Sequence, residues 1–310
     1  MASATAKRKI VVCGGNGFLG TCHAPTAITP LTLSFSKGSR ICKAAVQRGW
    51  NVTSISRSGE PTWSSVSSSP TAPQWASSVQ WAKANILNPD EYSHHLSGAD
   101  AVVHSMGILL EADYKGVLQG KESPLSGLRR AFSTTKAGSQ NPLERKPGEE
   151  LRPQEKDGQL TYELMNRDSA ILLARESSTA HVPTFVYISA AAGAPILPQR
   201  YITTKREAES TIASTFPLMR SIFIRAPFMW DKSRTFTVPL AAATGVAATI
   251  NDAIGGRLTW LMGAGGVKPL KVDLVGEAVV EAVDADDTKG PVEVPEIEKL
   301  ANKAWRRGML

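Results

Sequence analysis

The chain has 310 residues, 42% of them hydrophobic, which is enough to bury the core of one large α/β domain or two small ones and excludes a disordered or fibrous chain. Its formal net charge of +7 contains no basic run longer than Lys7, Arg8 and Lys9 and no aromatics interleaved with the bases, so the reading is no nucleic acid; an anionic lipid surface, an acidic partner or a phosphorylated cofactor fits the excess. Cys13, Cys22 and Cys42 form no C-x-x-C pair, His94, His95, His104 and His181 have no ligand spacing, and no apolar run reaches the roughly eighteen residues of a membrane span, so disulfide framework, metal site and membrane-spanning helix are all unexpected.

In chain order, residues 1–9 are basic, hydroxylated and free of acids, like the start of an organellar transit peptide, and a strand is predicted at once over 9–13. It runs into Gly14, Gly15, Asn16, Gly17, Phe18, Leu19 and Gly20, a G-x-x-G-x-x-G turn. In such a turn the first glycine permits the tight bend, the second admits a pyrophosphate to the backbone, and the third lets helix and strand pack closely; the free N–H groups of the following helix then bind the anion. Residues 21–38 interrupt this unit with Pro25 and Pro30 where the helix should start, and a helical pattern resumes only over 39–48. Removing these 18 residues would join Gly20 to Ser39 and restore the β-turn-α unit, so the segment reads as a translated in-frame intron, the alternative being a genuine surface insertion.

The next strand, 51–56, ends at Arg57 with no carboxylate to accept from a ribose 2′-hydroxyl. Arg57 would pair with a 2′-phosphate, so NADP(H) is favoured over NAD(H). A Ser/Pro-rich loop over 63–78 leads to a strand at 79–82 with Asn85 and Ile86 beyond it, and a strand at 101–105 is followed by Ser105, Met106 and Gly107; these strand ends would flank adenine and ribose. A Gly/Pro-dotted, mixed-charge loop spans 111–160. Strand 184–189 ends at Ser189, placed for a substrate-polarising hydroxyl. Tyr201 and Lys205 follow as Y-x-x-x-K, four apart and so on one helical face, where a cationic lysine would lower the phenol pKa and bond the nicotinamide ribose. A strand at 221–225 places Pro227 beside the nicotinamide. The alternation predicts an α/β, Rossmann-like doubly wound parallel sheet over 1–230, with a smaller cap region at 231–310 that holds an amphipathic helix over 275–283. The Ala/Val-rich stretch 237–250 reads as a buried helix or an apolar lid.

The glycine turn, the Ser56–Gly59 and Val102–Glu111 stretches, Tyr187 to Ala190 with Tyr201 and Lys205, and above all the block from Leu160 through Thr161, Tyr162, Glu163, Met165, Asn166, Arg167, Asp168 and Ser169 to Ala170 resemble the short-chain dehydrogenase/reductase (SDR) superfamily in its atypical, extended form. Within it the chain is similar to the fungal mitochondrial SDR-like family of coenzyme Q biosynthesis and, more distantly, to the NAD(P)H-binding accessory subunit of respiratory complex I. The resemblance implies a mitochondrial location on the matrix side of the inner membrane, with peripheral membrane contact and protein partners in a quinone-biosynthetic assembly. It leaves two functions open: an oxidoreductase acting on a quinone or lipid intermediate, or a cofactor-bound structural or regulatory subunit. An epimerase or dehydratase shares the fold.

Overall fold

The computed structural model describes residues 7–14, 37–66, 69–108, 140–146, 148–154, 160–192, 198–231 and 267–309. Strands β1 (Lys9–Cys13), β2 (Asn51–Ser56), β3 (Val79–Lys83), β4 (Ala101–His104), β5 (Thr184–Ala190) and β6 (Arg220–Ala226) are joined by a short seventh partner, Gly290–Val292, in one sheet. Its order is β3, β2, β1, β4, β5, β6 and then that last strand, every pairing parallel. The order reverses between β1 and β4, which opens the crevice in which doubly wound sheets hold ligands.

A parallel sheet is covered on both faces, and the strands are apolar accordingly: Ile10, Val11, Val12 and Cys13 are all fully buried. Alternation sends Ile10 and Val12 to one layer and Val11 and Cys13 to the other. The first layer is built from α1 (Lys37–Gln47) and two C-terminal helices, Val272–Asp284 and Val294–Arg307. The second consists of a π-helical segment (Glu163–Asp168) continuing into α2 (Ser169–Thr179), and α3 (Arg200–Thr215).

After β6 the chain forms β7 (Met229–Trp230), which pairs in parallel with β8 (Leu270–Lys271). That small ladder brings together the two ends of residues 232–266, which lie outside the described residues together with the apolar stretch 237–250. From β8 onward the chain rejoins the main body: α4 (Val272–Asp284) packs on α1, β9 (Gly290–Val292) extends the sheet, and α5 (Val294–Arg307) closes the layer. Residues 267–309 therefore belong to the sheet and its flanking layer. The loop expected over 63–78 is also more ordered than its composition suggests. Trp63, Trp75 and Trp81 pack mutually, with Trp63 edge-on to both others at 5.6 and 5.7 Å between ring centroids, and Trp63 is buried.

The α1–α4 crossing depends on Gly276. A Cβ there would stand 2.9 Å from the Arg40 carbonyl carbon and 3.0 Å from its oxygen, so the α1 backbone would have to move. Gly276→Ala is expected to destabilise the protein by about 1–3 kcal/mol, a typical overpacking cost. Denaturant titration reads this directly; an unchanged midpoint would show that the two helices separate freely.

Candidate functional site

At the carboxyl end of β1, Gly14 has φ +100°, and its N–H donates to the Ile55 carbonyl at 2.9 Å. A Cβ on Gly14 would meet Met106 Cγ at 2.5 Å and Ser105 Oγ at 3.0 Å. The end of β1 and the segment leaving β4 therefore approach more closely than any other residue permits. The Ser105 hydroxyl and amide both donate to the Cys13 carbonyl, at 2.9 and 3.0 Å, and latch the two strand ends. Gly15, Asn16, Gly17, Phe18, Leu19 and Gly20 lie outside the described residues. Arg57 sits in the exposed turn after β2, which the Ser56 hydroxyl closes by donating to the Gly59 carbonyl at 2.9 Å. Past β3, Asn85 folds its own turn, its amide donating to Glu91 at 2.7 Å and its Oδ1 accepting from Leu87 N–H at 3.2 Å, while Ile86 is buried in the core. Pro227 is buried just beyond β6. Of the long loop expected over 111–160, the described part docks on this layer: Gln140 N–H donates to Asp168 at 3.0 Å and Leu151 N–H to the Leu87 carbonyl at 2.8 Å.

The structure brings Tyr201 and Lys205 together on the first turns of α3. The Lys205 ammonium nitrogen lies 5.9 Å from the Tyr201 ring centroid and 5.0 Å from that of Tyr187. Lys205 is buried and donates to the Tyr187 hydroxyl at 3.3 Å and the Ile188 carbonyl at 3.2 Å. The Tyr187 hydroxyl donates in turn to the Asn166 carbonyl at 2.5 Å. The Asn166 side chain spans Ile108, accepting from its N–H at 3.0 Å and donating to its carbonyl at 3.4 Å. Gly107, at φ +141°, completes the arrangement, since a Cβ there would lie 2.8 Å from Asn166 Oδ1 and 3.4 Å from Lys205 Nζ.

Asn166 and Tyr187 are site residues that pattern reasoning did not single out. Both lie within the stretches that carry the family resemblance; Asn166 belongs to the π-helical turn at Glu163–Asp168, an irregularity common at functional sites, and Tyr187 reaches it from β5. Ser189 is held differently. Its hydroxyl donates to Glu209 and accepts from Arg206 at 3.0 Å, and Glu209 also pairs with Arg225 at 2.5 Å. The Ser189 oxygen is thus committed to a buried ion cluster on the α3–β6 side.

Electrostatics also depart from the simple Tyr/Lys expectation. Burial, and secondarily the charge of Lys37, holds the Lys205 amine well below the usual lysine range, and burial pushes the Tyr201 phenol up to about 12. A lysine that resists charging does not acidify its neighbour. Among the described residues no three of His, Cys, Asp and Glu gather as a metal site, and no helix is long and apolar enough to cross a membrane.

His104 lies beneath this network. Its Nε2 is 2.9 Å from the Ser169 hydroxyl, whose own proton goes to the Met165 carbonyl, so Nε2 carries the hydrogen; Nδ1 is buried with no hydrogen-bond partner among the described residues. Burial, reinforced by Lys205, pulls its pKa from 6.5 down to about 3. The unfolded chain therefore binds this proton first: the contribution of neutral His104 is complete above pH 6.5 and is lost as pH falls toward 3. The expected loss is about 2 kcal/mol at about pH 5 relative to neutrality. His104→Gln should flatten that part of the stability–pH curve measured by chemical denaturation, and equal slopes in both proteins would clear His104 of the acid sensitivity.

No family model matches the chain. MIOREX complex component 2 of Saccharomyces cerevisiae is 36% identical over 244 residues, covering 74% of this chain and 76% of that protein. A chloroplastic protein of Arabidopsis thaliana is 25% identical over 307 residues, covering 95% of this chain and 78% of that one. Among solved structures, the UDP-glucuronic acid 4-epimerase of Bacillus cereus in complex with NAD superposes with a TM-score of 0.50 at 14% identity, covering 92% of this chain and 76% of the enzyme. At that identity the likeness is one of fold. The chain thus belongs to the family of yeast MIOREX complex component 2, on the Rossmann-like scaffold of the short-chain dehydrogenases/reductases and epimerases.

Proposed function

We propose that the chain binds a nicotinamide dinucleotide at the carboxyl edge of its sheet and serves as an SDR-like subunit of a mitochondrial assembly, that of coenzyme Q biosynthesis. The observation that supports the binding reading is the glycine-rich turn that begins at Gly14, directly at the carboxyl end of β1 and beside the switch point between β1 and β4. That is where a doubly wound sheet holds a dinucleotide. In this reading the glycine turn holds the pyrophosphate and Arg57 a 2′-phosphate. Asn85, Ile86, Ser105 and Gly107 border adenine and ribose, and Lys205 and Pro227 the nicotinamide half. Arg57 supports NADP(H), while the NAD bound to the fold neighbour supports NAD(H) as well. The yeast relative's place in a complex supports protein partners, the basic leader supports a mitochondrial address, and the quinone assignment rests on the motif resemblance.

The Tyr201–Lys205 pair favours a second reading, reduction of a carbonyl on a quinone or lipid intermediate. The bound cofactor would supply the hydride chemistry. A phenol with a pKa of about 12 keeps its proton at neutral pH, so Tyr201 suits donation to a carbonyl oxygen better than abstraction from an alcohol. With Ser189 engaged by Glu209 and Arg206, Tyr201 would work without a second hydroxyl, which is why binding stands ahead of turnover here.

Calorimetric titration with NADPH and NADH tests the first reading. NADPH is expected to bind more tightly, and Arg57→Glu to weaken NADPH by about tenfold or more through loss of a charge-assisted pair. A wild-type protein that binds neither sinks the reading. Tyr201→Phe separates the two functions: it should spare the titration, and a fall in cellular quinone with that variant would favour turnover, whereas unchanged quinone would count against it.

A further inference from the structure

The described residues between 140 and 152 form a strap that runs from α2 to the turn after β3. On the α2 side, Gln140 N–H donates to Asp168 at 3.0 Å, and Arg175 donates to the carbonyls of Pro142 and, at 3.3 Å, Arg145. The two ends of the strap are tied together: Arg152 N–H donates to Gln140 Oε1 at 3.2 Å, and the Gln140 amide donates to the Arg152 carbonyl. On the β3 side, Leu151 is buried and its N–H donates to the Leu87 carbonyl at 2.8 Å, while Arg145 donates to the Glu150 carbonyl at 2.7 Å. The backbone of Glu150 is thereby fixed at its own carbonyl and at the next amide.

That anchoring sets the Glu150 side chain beside Asn85, whose Nδ2 approaches Glu150 Oε1 at 3.5 Å. Asn85 itself is folded inward, with Oδ1 accepting from Leu87 N–H at 3.2 Å. Glu91, the other carboxylate at this turn, is spent on the turn's own donors, Asn85 N–H at 2.7 Å and Asn88 Nδ2 at 3.1 Å. Glu150 is not. Among the described residues it meets only Asn85 and, on its other oxygen, the exposed guanidinium of Arg152 at 3.5 Å, and its side chain is 37% exposed. An acceptor with lone pairs to spare therefore stands at the carboxyl end of β3, next to the residue that borders adenine in the dinucleotide reading.

Resting on that reading, we propose that Glu150 is a specificity-determining residue for the base: its carboxylate accepts from the 6-amino group of adenine and rejects a 6-oxo purine. An asparagine carries both a donor and an acceptor, so Asn85 alone would serve either base, whereas a carboxylate only accepts. A purine with a carbonyl at position 6 would set two acceptors face to face with no hydrogen between them. Sites that hydrogen-bond a ligand group discriminate strongly against the analogue that lacks it, because their own polar atom is then left unpaired. The strap, 65 residues along the chain from Asn85, is in this account the wall that reads the base.

Calorimetric titration of the full chain with NADPH or NADH, whichever binds the tighter, and with its hypoxanthine analogue, in which a 6-oxo group replaces the 6-amino group, tests this. The adenine form is expected to bind about tenfold or more tightly than the analogue. Glu150→Gln, whose amide can donate as well as accept, should bring the two within about threefold of each other. The side chain is partly exposed and its backbone does the anchoring, so the variant's melting temperature should match that of the wild type. A purely structural role for Glu150 would weaken both dinucleotides alike and leave their ratio unchanged. Equal affinities in the wild type, or an undiminished preference in Glu150→Gln, would overturn the proposal. Binding of neither form overturns the dinucleotide reading and this proposal with it, an outcome distinct from equal binding of both.

Discussion

The burial of Lys205 is the constraint around which the candidate site is organised. An amine at 3% exposure must be hydrogen-bonded or neutral, and here it is both held and discouraged from charging. Its bonds to Tyr187 and Ile188 fix α3 against β5; the Tyr187 hydroxyl fixes β5 against the π-helical turn; and Asn166 fixes that turn to the segment after β4. Four elements distant in sequence are registered by one polar column. The requirement for glycine at 107 follows, since any side chain there would strike Asn166. A column of this kind is strong only while every member is satisfied, so each residue in it constrains the identity of the next.

The two edges of the sheet divide the chemistry of the molecule. At the carboxyl edge, positive-φ glycines and buried phenols pack the strand ends together through backbone and neutral hydrogen bonds. At the amino edge, arginines from four separate elements gather on the C-terminal turn of α4, where the unpaired carbonyls and the helix dipole favour cations. The second cluster closes the fold: Arg8, ahead of β1, and Arg220, at the start of β6, reach the same turn, tying the first and sixth strands to the last helices. Glu281 is wholly buried beneath Arg48, Lys303 and Arg307, a carboxylate that would be untenable there without those partners.

Much of the sheet was legible because buried parallel strands are short apolar runs bounded by turns. The predicted ends of β1 and β2 coincide with those observed, and those of β4, β5 and β6 differ by one residue. The last strand was not legible: Gly290–Val292 has three residues with Pro291 at its centre, a composition tolerated only on an edge, and its place beside β6 is set by the packing of α4 and α5. In the site, helical spacing sufficed to pair Tyr201 with Lys205, yet the same spacing continues to Glu209, and only the fold reveals that this carboxylate claims the Ser189 hydroxyl. Asn166 was hidden for a related reason. A π-helical turn breaks the 3.6-residue period from which facing residues are inferred, so its side chain points where a regular helix would not send it.

The interrupted glycine unit gains a physical reading from where α1 begins. The helix opens at Lys37, with Gly38 and Ser39 both buried in its first turn. Without residues 21–38, Gly20 would precede Ser39; with them, Gly38 does. Either connection therefore places a glycine directly ahead of the same serine, in the buried first turn of α1. The segment ends by bringing Lys37 to the start of α1, where burial lowers the pKa of its amine to about 8. Its charge, after burial itself, discourages Lys205 from charging, so the electrostatics of the buried column reach back to the residue that opens the helix.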